Sequence, residues 1–205
     1  MKYYTSQSGF SLVETLVAIS ILLLVIVGPM SISTSASRGT SYSSEQVTAF
    51  FLAQEGAELA QKARDDLQIT YFADANRDPG VFTPTNPDPW ADFSNTNGTY
   101  QSCFNATGCD FTITTSANGA LTVHDCNSSA TACSLYIDTT TSNLRARFTH
   151  TASGNTATPF TRKVLFERVS ADEVKVTSRV TWRAGSFRNE QQVEVKTRLF
   201  NIYGN

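Results

Sequence analysis

Residues 10–30 read FSLVETLVAISILLLVIVGPM, a run in which only Ser11, Glu14, Thr15 and Ser20 are clearly polar. At about 1.5 Å per residue a helix of this length covers roughly 30 Å, the thickness of a bilayer's hydrocarbon core. A buried helix of a water-soluble domain rarely stays this apolar for so long, so the run predicts a membrane span. Lys2 precedes it with no acid beside it, and the first charge after it is Arg38. That asymmetry predicts a cytoplasmic start, an exported remainder and a single pass. Inside the span, Glu14 is a carboxylate whose insertion costs on the order of 3 kcal/mol, and a charge in such a place marks a function or a specific partner.

Working outward, the chain has 205 residues, 40% of them apolar, enough for one modest core and a small appended region. A net charge of -2 removes the usual electrostatic case for nucleic acid, and DNA is not expected as a partner. Ser, Thr, Asn and Gly are plentiful between residues 83 and 160, which favours turns, short strands and solvated loops. The composition reads as an exported, β-rich domain.

An ordinary signal peptide would be cut after the apolar run, where Ser31 to Thr34 supply small residues. The sequence ahead of the run suggests otherwise. Ser8-Gly9-Phe10-Ser11-Leu12-Val13-Glu14-Thr15-Leu16-Val17-Ala18 resembles the processing motif of type IV pilins and type II secretion pseudopilins. The resemblance implies cleavage by prepilin peptidase between Gly9 and Phe10 and N-methylation of Phe10. It implies a filament-assembly role for Glu14, four residues further on. The partners it implies are other pilin or pseudopilin subunits, the peptidase, an inner-membrane assembly platform and membrane lipid. The fold it implies is α+β: a long N-terminal helix, membrane-spanning and then amphipathic, packed on a C-terminal antiparallel sheet. Gly28-Pro29 lies where proline removes one helical hydrogen bond, and we expect a continuous but bent helix there.

The expected organisation is a leader over 1–9, a transmembrane helix over 10–30, the exported half of the long helix over 31–70, a loop-rich insertion over 71–160 and a sheet over 161–205. Leu52, Gly56, Leu59, Ala60, Ala63 and Leu67 recur at steps of three and four, a stripe suited to packing on a sheet. Residues 74–98, with Pro79, Pro84, Pro87 and Pro89, read as an exposed Pro-rich loop. The calcium-loop-like start at Asp74 fails because Pro79 replaces the turn glycine and no glutamate closes it. Cys103, Cys109, Cys126 and Cys133 suit an oxidising compartment. Three pairings are possible. Local Cys103–Cys109 and Cys126–Cys133 bridges are the first choice, ahead of zinc; no metal or cofactor is expected.

Strands are predicted over 161–169, 173–182 and 187–200, with a hairpin turn at Arg183–Ser186. This hairpin is similar to that of minor pilins of the pilus-modification type. Arg179, Arg183, Arg188, Lys196 and Arg198 form a candidate basic stripe on its outer face. His124 and His150 stand isolated in sequence, and no phosphate loop, metalloprotease helix or nucleophile elbow occurs, so no enzyme is expected. Two roles remain: a structural, minor filament subunit, or a membrane-anchored adhesion module on the same N-terminus.

Overall fold

The computed structural model describes residues 9, 11–73, 88–113, 119–138, 147–183 and 189–202. It divides into two compact units, Met1–Ser44 and Glu45–Asn205. Helix α1 spans Leu12–Ala73, 62 residues, and passes through Gly28 and Pro29 without a break. The Ser/Thr-rich tract that follows has weak helix propensity, yet it stays helical. Its hydroxyls fold back on the helix: Thr34, Thr40, Ser41 and Ser43 each donate to the carbonyl four residues earlier, at 2.9–3.3 Å.

In the second unit α1 becomes one-sided. Of the stripe read from the sequence, Leu52, Gly56, Leu59, Ala60 and Ala63 are buried and Leu67 is half-buried; Ala49 and Ala53 are buried beside them, while Phe50 and Phe51 remain exposed. Small residues let the helix approach the sheet closely. A Cβ on Gly56 would lie 2.4 Å from Ser178 Oγ and 3.0 Å from Arg162 Cδ.

The sheet is antiparallel and has seven described strands: β1 Cys109–Ile113, β2 Leu121–Asp125, β3 Ser134–Asp138, β4 Arg147–Thr149, β5 Thr156–Ser170, β6 Glu173–Trp182 and β7 Gln191–Phe200. Strand β5 organises it. One edge pairs with β6, which pairs with β7. The other edge serves two hairpins in succession: β3 pairs along Thr156–Thr161, and β1 joins at Val164. Gly108, at φ +74°, sits where β1 meets β5, and a Cβ there would lie 2.9 Å from the Val164 carbonyl oxygen.

Alternation sets the faces. Val174, Val176, Val180 and Trp182 of β6 point inward and are buried, as the period-two pattern predicts. The segment 71–160 holds more regular structure than its composition suggested, since β1 to β4 and a short helix, α2 (Pro89–Ser94), lie there. The exposed Pro-rich loop is corrected in its described part. Asp88 caps α2 by accepting from Trp90 N, and Trp90 and Phe93 enter the core. The physical reason is apolar area: two large aromatics gain about 1.5–3 kcal/mol each by leaving water. Residues 74–87, including the calcium-like sequence, and the 184–188 turn lie outside the described residues. The core centres on Phe166, whose ring meets Phe93 at 5.2 Å and Phe104 at 5.5 Å.

Candidate assembly helix and the headpiece charge cluster

The N-terminal candidate residues divide around the start of α1. Gly9 is exposed and lies outside any element, while Phe10 lies outside the described residues. Glu14 occupies the first turn of α1, where the helix dipole favours an anion, and it is exposed. It makes no ion pair among the described residues. Its neighbours are apolar and uncovered: Leu12 is 78% exposed and Leu24 76%, with Val13, Leu16 and Val17 between 50% and 67%. The few hydroxyls here are internally satisfied, Thr15 Oγ1 donating to Leu12 O at 2.9 Å and Ser20 Oγ to Leu16 O at 2.8 Å. What remains is an apolar cylinder, long enough to cross a membrane, bearing one unpaired carboxylate near its start.

The cysteines close two short loops. Cys103 is bonded to Cys109 and Cys126 to Cys133. The first bridge ties a 3-10 turn, Gln101–Phe104, to the start of β1; the second ties the end of β2 to the start of β3. Among the described residues there is no group of His, Cys, Asp and Glu arranged to hold a metal.

A cluster that the sequence did not reveal lies where β5 changes partner between the two hairpins. Arg162 sits at an inward position of β5 and is 3% exposed. Its Nε donates to both oxygens of Asp110, at 2.8 and 2.9 Å. Its Nη1 donates to Glu55 Oε2 at 2.9 Å and approaches Leu52 O on α1 at 3.3 Å, while Nη2 donates to Phe111 O at 3.0 Å. Burial pulls the guanidinium down, but Asp110 and Glu55 outweigh it and hold Arg162 above its ordinary value. His150 Nε2 lies 2.9 Å from Asp110 Oδ2, and its Nδ1 lies 3.1 Å from Ser134 O. His124 is not isolated in space: its ring centroid is 4.6 Å from that of His150. Burial, then the neighbouring His150, pushes His124 down, with Asp110 pulling the other way.

This cluster draws its side chains from α1, β1, β5 and the end of β4, and reaches the Ser134 carbonyl on β3. Asp110 is fully buried and Arg162 nearly so, so the pair at the centre of the cluster is shielded from solvent. The signal for it was one cation at an inward position of a strand that otherwise alternates, Phe160, Arg162, Val164, Phe166; its partner, 52 residues earlier, has no local signature.

On the outer face, Arg179 and Lys196 both reach Glu194, Lys175 pairs with Glu167 and Arg198 with Glu173. Salt links hold Glu194 below the usual carboxylate range, the bond from Lys196 first and that from Arg179 next. The expected basic stripe is therefore a mixed lattice of ion pairs, and Arg188 lies outside the described residues.

Comparison with known proteins is confined to the N-terminus. The family model of the prokaryotic N-terminal methylation motif matches residues 4–28, and so covers Gly9, Phe10 and Glu14. No curated protein and no solved structure matches the chain. The motif points to a structural protein that assembles with other pilin subunits after processing by prepilin peptidase. The N-terminus thus carries a prepilin-type methylation motif that leads into an uncovered apolar helix, and this supports a type IV pilin or pseudopilin reading of the chain.

Proposed function

We propose that the chain is a minor subunit of a type IV pilus or type II secretion pseudopilus. Prepilin peptidase cuts between Gly9 and Phe10 on the cytoplasmic side and methylates Phe10, and the rest of the chain is exported. The observation that carries this reading is the unpaired Glu14 on an uncovered apolar helix, inside the matched motif. Cleavage creates a cationic amine at Phe10, and Glu14 of one subunit neutralises the amine of its neighbour. In a low-dielectric bundle each charge satisfies the other, so the pair selects the axial register in which they meet. Val47, Phe50 and Phe51, exposed on α1 in the second unit, add apolar surface for packing against other subunits. The minor role is supported by a headpiece with two disulfide-closed loops and a C-terminal hairpin resembling that of pilus-modification pilins.

Mass analysis of the N-terminus, with and without the peptidase, tests the processing step. A methylated Phe10 that depends on the peptidase is expected; an intact Met1, or a cut after residue 30, refutes it. Glu14→Val is expected to insert into the membrane normally and to be absent from sheared filaments. Normal incorporation would refute the pairing. An adhesion module on the same N-terminus differs in that its loss leaves filaments intact and abolishes attachment alone.

A further inference from the structure

We infer that Asn127 is an N-glycosylation site that accepts an oligosaccharide from a lipid-pyrophosphate-linked donor. The inference rests on the reading that Glu45–Asn205 is exported. Asp125-Cys126-Asn127-Ser128-Ser129 contains the acceptor pattern N-x-S, here in the extended form with an acid two places ahead of the asparagine. The structure presents the pattern on a projection. Residues 127–131 are all exposed, and the loop is closed at its base by Cys126–Cys133. Asp125 shapes the turn: its Oδ1 accepts from Asn127 N at 2.8 Å, and its carbonyl accepts from Ser128 N at 3.1 Å and Ser128 Oγ at 2.8 Å. The Asn127 carboxamide and the Ser129 hydroxyl make no hydrogen bond among the described residues, so both groups a transferase must grip are free.

Two other N-x-T patterns are less well placed. In Asn97-Gly98-Thr99 the threonine hydroxyl is engaged, donating to Asp92 Oδ2 at 2.7 Å. In Asn105-Ala106-Thr107 the threonine is half-buried and the residue two before the asparagine is Cys103, buried in a disulfide. The transfer balances without a redox partner. Asn127 Nδ2 bonds to the anomeric carbon, the bond from that carbon to the pyrophosphate oxygen breaks, the lipid pyrophosphate leaves with the electron pair, and the amide proton passes to a base of the transferase.

The test is mass analysis of the full chain purified from its native membranes, reading the peptide that carries Asn127 and the N-terminus in one digest. A mass larger than the sequence by whole sugar units is expected. It should be lost in Asn127→Gln and Ser129→Ala, and kept in Ser129→Thr and in Asn105→Gln. Protease added outside the inner membrane of spheroplasts reports export separately from the cytoplasmic cut. An Asn127 peptide at its bare mass, in a chain whose second unit that protease reaches, overturns this inference and leaves the export reading standing. A second unit shielded from the protease overturns the export reading, and this inference with it.

Discussion

Replacing Arg162 by methionine removes the guanidinium that holds Asp110, a fully buried carboxylate, and also releases Glu55, Leu52 O and Phe111 O. Glu55 is 46% exposed in its side chain and regains water. Asp110 cannot, and among the described residues it keeps its bond from Phe111 N at 2.8 Å and the contact with His150. Stranding one partner of a buried pair costs about 3–5 kcal/mol. At about 2–4 °C per kcal/mol for a chain of this size, the melting temperature should fall by roughly 6–20 °C. The assay is urea or thermal unfolding of the full chain in detergent, followed by the fluorescence of Trp90 and Trp182, both buried in the second unit. A cycle with Asp110→Leu sharpens it: with no charge left stranded, the double variant should be more stable than the sum of the singles predicts, by roughly 1–3 kcal/mol. Additive losses, or an Arg162→Met change within about 0.5 kcal/mol of the parent, would refute the reasoning.

Gly56→Ala should cost about 1–3 kcal/mol, because its Cβ meets Ser178 and Arg162, whereas Gly39→Ala, with nothing within 4 Å, should be neutral or raise helicity slightly. Equal effects in unfolding experiments would contradict that contrast. Removing Cys103–Cys109 as a Ser/Ser pair should lower stability by about 2.3 kcal/mol on loop-closure grounds, with no change if the bridge does not form. Burial first, then Asp66 and Asp92, pushes the Tyr100 hydroxyl up to about 12. The folded chain thus keeps a proton that the unfolded chain loses near pH ~10, so this contribution is full below that pH and disappears as pH rises towards 12. Tyr100→Phe should flatten the stability loss across that window. Tyr100 ionising together with exposed tyrosines would exclude the effect.

The membrane run and the processing motif were legible because both are local: about 20 consecutive positions carry them. The sheet-facing stripe of α1 and the alternation of β6 were legible for the same reason, since period fixes face. The short strands β1 to β4 were not. Five residues or fewer of mixed polar and apolar character carry too little periodicity, and it is pairing that makes them strands: β1 and β3 with β5, β2 with β1 and β4 with β3. Pro89 and Trp90 illustrate a second limit. Proline density suggested a loop, yet proline at the first turn of a helix removes no hydrogen bond that the helix needs. The Arg162 cluster marks a third: its members come from α1, β1, β5 and the end of β4, and only the fold brings them together.

The shared edge of β5 has a mechanical meaning. A load travelling along α1 into the second unit enters the sheet where Arg162 grips Glu55 and the Leu52 carbonyl. That anchor lies on the strand with partners on both edges, next to the Cys126–Cys133 tether between the hairpins. Traction on the helix therefore reaches a strand paired with β1, β3 and β6 rather than an edge strand.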